Sequence, residues 1–277
     1  MIDGMSVLIV AHKELRDARR NRWFLLYGVA LAALALAFSG LGLAGKGRIG
    51  LTGFARTTAS LINLVMLIVP LMGLTLGALS LAAERERGTL LYLLSQPVTQ
   101  LEVFLGKYLG LGAALLGTLV AGFGISGVIV ALQTGGGGVG AFLALVALSF
   151  VLGLISLGLG MLLSAFARRG ATSLATAVFL WLLLVFMGDL GVMGTALVLE
   201  LEVDRLLLLA LVNPLQVFKL GAILASRGSL EVLGPAGVYA VRNHGEVLWP
   251  VLLALLGAWV LLPPLGGFLV FRRRGVL

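Results

Sequence analysis

Four charged residues of alternating sign, Glu84–Arg87, lie between two long apolar segments of the chain, where they could bind a partner protein. The charges can pair with one another or with that partner. Gly88 frees the backbone to turn, and a short helix is predicted over Thr89–Ser95, ending at Pro97. Apolar side chains on this helix could fill a groove on another protein. An ordinary interfacial loop is the alternative. The candidate contacts are Glu84, Arg85, Glu86, Arg87, Gly88, Thr89, Leu90, Leu91, Leu94 and Pro97.

Two overlapping glycine patterns imitate nucleotide sites but lack the context that such sites need. Residues 40–45 fit the dinucleotide pattern G-x-G-x-x-G, and residues 40–46 fit most of a phosphate-binding loop. The loop requires Ser or Thr after its lysine, where this chain has Gly47, and both patterns must join a strand to a helix. We therefore expect the chain to bind no cofactor of its own.

Metal and catalytic chemistry find little support in the residue types. The chain has no cysteine. Cuprous ion prefers thioether and imidazole ligands, which makes Met187, Met193 and His244 weak candidates. The two methionines are six residues apart and would lie on different helix faces, so gap-filling methionine is the alternative. We predict no metal site, and no catalytic constellation can be assembled, which leaves a membrane enzyme unsupported.

The elements that position these residues are predicted to be membrane helices. Of the 277 residues, 60% are hydrophobic and 12% are charged, which is typical of an integral membrane protein. We predict an all-α, polytopic protein, with residues 23–271 as its transmembrane domain. The six predicted spans cover residues 23–44, 61–83, 103–132, 140–166, 171–199 and 247–271.

Basic residues indicate how the spans are oriented. They concentrate on the side of both termini, so the positive-inside rule predicts cytoplasmic termini in a bacterial inner membrane. The same rule explains the net charge of +8 without nucleic acid. Residues 1–22 are predicted to form an interfacial amphipathic helix, and residues 272–277 a basic tail. Thr99 and Glu102 form a predicted capping box at the start of the third span.

The region 200–246 is predicted to be an extracytoplasmic loop with a re-entrant helix. The helix would begin at Asn213, as its cap, and Pro214. It is too short to span a membrane, and Gly234–Gly237 is predicted to break the chain. Contact with an external partner and a simple gate structure are the two alternatives. The candidate contacts are Asn213, Pro214, Lys219, Gly234, Pro235 and Tyr239.

The charged segment and the residues after it resemble the coupling-helix region of ABC-2 type permeases. The similar residues are Glu84–Pro97, Gly106-Lys107-Tyr108, Lys13–Asp17 and Leu269–Arg274. The resemblance implies a type V exporter-like subunit of six helices that forms a homodimer and binds a separate cytoplasmic ATPase, which holds ATP and magnesium. It also implies that Glu84–Pro97 contacts the ATPase, with Arg168 and Arg169 as a second contact.

Within that family the chain looks most like the permeases that serve maturation of nitrous oxide reductase. The similar residues are Asn213–Ile223 and Gly234–Gly237. This resemblance implies a NosF-like ATPase inside, a NosD-like periplasmic β-helix protein outside, and copper-site assembly with copper as a possible cargo of the complex. A generic ABC-2 exporter of drugs, lipids or glycans is the alternative. Transport through the dimer and force transmission without transport both stay open.

Overall fold

A computed structural model describes residues 3–44, 51–134, 139–188, 211–226 and 234–274, and all elements in these ranges are helices. The predicted all-α fold class is confirmed. The nine elements are α1 (Gly4–Arg20), α2 (Arg22–Ala44), α3 (Leu51–Glu86), α4 (Thr89–Leu94), α5 (Gln100–Thr134), α6 (Val139–Phe166), α7 (Gly170–Phe186), α8 (Pro214–Ala225) and α9 (Gly234–Arg274).

Five helices in the described ranges are long and apolar enough to cross a membrane. Their candidate spans are Arg22–Ser39, Ala59–Glu86, Gln100–Ile129, Val139–Phe166 and Leu248–Arg274. Each overlaps a predicted span. The other predicted span, 171–199, begins with the shorter apolar helix α7, and residues 189–199 lie outside the described ranges. The count of six and the side on which the termini lie stay predictions.

The last helix begins earlier than the sequence suggested. α9 starts at Gly234, so Gly234–Gly237 opens a helix where a break was expected. Glycine and proline are tolerated there because the first helical N–H groups need no intrahelical partner. The first turns of α9 include polar and charged residues, so they do not continue the apolar run that predicted the span. The region 200–246 therefore holds α8 and the first turns of α9.

The centre of the fold is a close crossing of α3 and α6. A Cβ atom on Gly73 would lie 2.7 Å from the carbonyl oxygen of Gly153, and one on Gly77 would lie 2.7 Å from the amide nitrogen of Met161. Small residues permit this approach, which dispersion forces stabilise. The Ser164 hydroxyl oxygen also accepts hydrogen bonds from the Leu81 and Ala82 amides, at 3.0 and 2.8 Å. The contact with α6 therefore fixes the charged end of α3 in position.

The N-terminal helix packs lengthwise along the first turns of α5. A Cβ on Gly106 would lie 2.6 Å from the Val10 Cβ, and one on Gly110 would lie 2.8 Å from the Cα of Ala11. The amide of Asp3 donates a 2.7 Å hydrogen bond to Glu102. The opposite face of α1 exposes apolar side chains, as an interfacial helix requires: Met5, Leu8 and Ile9. α1 is thus joined to the helical bundle along its other face.

Candidate functional site

A tight turn and two caps shape the segment that follows α3. Gly88 adopts φ 73°, in the left-handed region that glycine tolerates best, and lets the chain reverse into α4. The capping box that starts α5 is confirmed. The amide of Thr99 donates to Glu102 Oε2 at 2.8 Å, and the amide of Glu102 donates to Thr99 Oγ1 at 3.2 Å. α4 is therefore held between two fixed helix ends.

Glu84 lies in a buried cluster of four charges from three helices. The Nζ of Lys107 is 2.7 Å from Glu84 Oε2 and 2.7 Å from Glu14 Oε1. The Nζ of Lys13 is 2.7 Å from Glu84 Oε1 and 3.0 Å from Glu14 Oε1. Lys107 is fully buried, whereas 45% of the Lys13 side chain is exposed. Two cations thus face two carboxylates, and the cluster ties α1, α3 and α5 together.

The charge of Lys13 is well stabilised although the residue is partly buried. Burial by itself lowers the pKa of Lys13, but the hydrogen bond to Glu84 and the charges of Glu14 and Glu84 outweigh burial and raise that pKa. Lys13 therefore stays protonated at neutral pH. Its charge helps to compensate the two carboxylates that α1 and α3 contribute. The Nζ of Lys13 also lies 3.7 Å from Oδ2 of Asp17.

The next two charges bind the turn that joins α6 to α7. Arg85 Nη1 donates to the carbonyl oxygen of Ala167 at 2.6 Å, where α6 leaves its last carbonyls without helical partners. Glu86 Oε2 accepts a 2.8 Å hydrogen bond from the amide of Gly170, the first residue of α7. Arg274 reinforces the turn by donating to the carbonyl of Phe166 at 2.7 Å. Consecutive charges of one segment thus hold different helices.

The surface that remains for a partner is smaller than the sequence suggested. Leu90 is fully buried against the chain's own helices, so the prediction that it fills a partner's groove is wrong. Leu94 is half-buried against the same cluster, and Glu84 is buried in the ion cluster. The exposed set is Glu86, Arg87, Gly88, Thr89, Leu91, Tyr92, Ser95, Gln96, Pro97, Arg168 and Arg169.

Tyr92 is a candidate contact that the sequence analysis did not include. Its side chain is 73% exposed beside Leu91, which is 62% exposed. Tyrosine is enriched among the residues that dominate binding energy at protein interfaces. The spacing of Tyr92 from Leu90 in the sequence could have indicated that Tyr92 is exposed. Tyr92 follows the buried Leu90 by two residues and so lies on the opposite side of the one-turn helix α4.

The predicted external contacts that the structure describes are half-buried or buried. Asn213 caps α8 by accepting from the Leu215 amide at 3.0 Å, as predicted, while its Nδ2 donates to the carbonyl of Leu184 at 2.7 Å. Pro214 is buried, so the structure contradicts its role as a partner contact, and Lys219 is half-buried. α8 packs against α6 and α9 because most of its side chains are apolar. Gly234, Pro235 and Tyr239 belong to α9, and their burial lies outside what the structure describes.

Of the three weak metal candidates, Met187 is the one whose side chain the structure describes. Met187 is exposed after the last turn of α7. Met193 and the side chain of His244 lie outside the described residues. Among the described residues, no three His, Cys, Asp or Glu side chains are grouped so that they could hold a metal ion.

Comparison with known proteins shows the family of this chain by its sequence. The family model described as "ABC-2 family transporter protein" matches residues 8–276. The chain belongs to the ABC-2 transporter family. This ABC-2 protein is 32% identical over 272 residues to "Probable ABC transporter permease protein NosY" of Stutzerimonas stutzeri, covering 96% of this chain and 97% of the relative.

A second relative carries the same name. "Probable ABC transporter permease protein NosY" of Pseudomonas aeruginosa is 30% identical over 280 residues, covering 98% of this chain and 99% of the relative. The ABC-2 chain is thus a multi-pass protein of the inner membrane and a permease component of an ABC transporter. The resemblance that the charged segment indicated is confirmed.

Proposed function

We propose that this permease couples ATP hydrolysis in a separate cytoplasmic ATPase to mechanical work across the inner membrane, as a homodimer that serves copper-site assembly of nitrous oxide reductase. The coupling proposal rests on the contacts of the segment Glu84–Arg87. The side chains of Glu84, Arg85 and Glu86 bind residues of α1, α5 and α7 and the end of α6, and the face of the segment that carries Arg87 is exposed. A partner that moves this face moves α1, α5, α6 and α7 together.

The ATPase would dock on the exposed part of the segment. Leu91 and Tyr92 are exposed apolar residues of α4. Arg87 precedes α4 by two residues, and Arg168 and Arg169 directly precede Gly170, whose amide donates to Glu86. We propose that these three exposed arginines form a charged rim beside the apolar pair. An apolar centre with a charged rim is the usual organisation of a protein interface. A complementary partner would offer an apolar groove edged with carboxylates.

One helix offers a path from this surface to the other end of the fold. At its start, the Gly170 amide of α7 donates to Glu86, and at its end the Leu184 carbonyl accepts from Asn213 of α8. A helix of 17 residues is about 25 Å long and resists compression. We propose that α7 transmits displacement from the end of α3, which adjoins α4, to α8, and that this work serves a NosD-like periplasmic protein without a substrate passing through.

Docking is tested by purifying the tagged protein from its native host in mild detergent and identifying bound proteins by mass spectrometry. We expect an ABC ATPase together with a periplasmic β-helix protein. Leu91→Ala with Tyr92→Ala should lose the ATPase, whereas Met5→Ala with Leu8→Ala, which removes an equally exposed apolar pair from α1, should keep it. Recovery of the ATPase by the first variant would contradict the docking surface.

The copper role and the α7 path need a separate readout, the copper content of nitrous oxide reductase from the same host. Deletion of the permease gene should leave the reductase short of copper, and normal copper would contradict the maturation role. Asn213→Ser keeps a capping oxygen on α8 but is too short to reach Leu184. We expect it to retain the ATPase and to lower copper content. Unchanged copper would remove α7 from the path.

A further inference from the structure

An apolar groove runs between α2 and α5 on the outside of the bundle. It has a volume of about 490 Å³, within the range of roughly 300–1,000 Å³ that ligand pockets occupy. Small residues on α5 create the groove: Ala113, Ala114, Gly117, Ala121 and Gly122. A Cβ atom on Gly117 would have no neighbour within 4 Å, so this position opens into free space. An unbranched hydrocarbon chain fits such a shape.

A basic concavity of about 450 Å³ adjoins the groove at the end of α1. It is lined by His12, Arg16, Arg19 and Arg20, and it shares Leu15 and Arg19 with the groove. None of the salt bridges between described side chains uses these three arginines. The nearest acidic residue in sequence, Asp17, faces Lys13 at 3.7 Å. The concavity therefore has positive charge available for an anion.

We infer that the groove and the concavity together bind one anionic glycerophospholipid of the adjacent leaflet. The phosphate would lie among the arginines, whose planar guanidinium groups match phosphate geometry, and one acyl chain would lie over Gly117. The shared residues Leu15 and Arg19 stand where headgroup and chain join. The site is independent of the proposed coupling function.

Charge argues against a second copy of the chain in this groove. A two-fold interface places the same surface of both copies face to face. Here it would bring two arginine concavities together, and facing like charges oppose association. A lipid phosphate instead neutralises the arginines. The bound lipid would also hold α1, whose Lys13 and Glu14 belong to the buried ion cluster.

Native mass spectrometry of the full chain tests the site with phosphatidylglycerol and phosphatidylcholine of equal chain length. We expect phosphatidylglycerol to be retained preferentially, at one molecule per chain. Arg16→Gln with Arg19→Gln should weaken its binding about 25-fold, since each basic residue near anionic lipid contributes about fivefold. Arg272→Gln with Arg273→Gln removes the same charge from another exposed site and should leave retention unchanged.

The groove is tested by filling it. Gly117→Leu and Ala113→Leu should each abolish phosphatidylglycerol retention, while Gly257→Leu, in equally open space on α9, should not. Helicity and elution volume verify that each variant folds. Equal retention of both lipids, full retention by either groove variant, or release by free glycerol phosphate would overturn the site. A disulfide between two Gly117→Cys chains in membranes would show a second copy there and overturn it too.

Discussion

The ammonium group of Lys107 lies 2.7 Å from a carboxylate oxygen of Glu84, across the turn and the short helix α4 that separate them in sequence. The lysine is fully buried, and Glu14 of α1 binds it from the other side at the same distance. A buried charge must be paired to be tolerated, so the contact fixes the start of α5 against the end of α3. The loop between them is closed by an ion pair.

Removal of Lys107 should be the most damaging change in the ion cluster. Lys107→Met leaves two buried carboxylates with only Lys13 between them, and breaking a buried pair in this way costs about 3–5 kcal/mol. Thermal unfolding of the purified protein in detergent measures the loss. Lys13→Met is the comparison because that lysine is partly exposed, and it should cost less. Equal stability of Lys107→Met and the unchanged protein would contradict the pairing.

Glu84 and Arg87 should behave differently although they stand one helical turn apart. Glu84 is buried and bound to two lysines. We expect Glu84→Ala to lower the unfolding temperature clearly. Arg87→Ala should leave it unchanged, because Arg87 is exposed and its guanidinium donates to a carbonyl oxygen of the adjacent turn, that of Ala83. Similar unfolding temperatures for the two variants would refute this distinction.

Glu86 should act as the cap of α7. The N-cap residue Arg169 makes no side-chain capping bond, and Glu86 supplies the acceptor for the Gly170 amide. Glu86→Ala should cost about 1 kcal/mol, as the loss of a helix cap does. Hydrogen exchange at the Gly170 amide should rise in that variant. Glu86→Gln keeps an acceptor oxygen and should protect the amide better; equal exchange in both variants would exclude the cap.

The crossing of α3 and α6 should not tolerate one added methyl group. In Gly77→Ala the new carbon would lie 2.7 Å from the Met161 nitrogen and 2.9 Å from the Gly160 carbonyl carbon, and backbone cannot move aside easily. Overpacking of this kind costs about 1–3 kcal/mol. Gly124→Ala on α5 meets open space and should be neutral or slightly stabilising. Thermal unfolding compares the two variants, and equal stabilities would contradict the close crossing.

Local signals in the sequence predicted local structure well. The capping box at Thr99 and Glu102, the cap at Asn213 and the short helix α4 all depend on residues within four positions of one another. The long helices were predicted from continuous apolar runs, which likewise require no contact between residues distant in sequence. The start of α9 could not be found in this way, because its first turns are not apolar enough to stand out from a loop.

Long-range pairings could not be predicted. Glu84 binds lysines on α1 and α5, and nothing in the segment itself distinguishes this buried carboxylate from the exposed Glu86. One signal was available. Lys107 stands at the edge of an apolar run, and a lysine there requires an acidic partner on another helix. The burial of Leu90 likewise depends on packing against helices that are distant in sequence.

The proposed binding site for the ATPase is the exposed face of α4. The chain has no cysteine, so Gln96→Cys, at an exposed position two residues after α4, introduces a unique site for a photoactivatable cross-linker and keeps Leu91 and Tyr92. Leu8→Cys on the exposed face of α1 is the matched control. Cross-linking in native membranes, followed by mass spectrometry, should recover the ABC ATPase from Gln96→Cys and not from Leu8→Cys. Recovery of the ATPase from Leu8→Cys and not from Gln96→Cys would contradict this binding site.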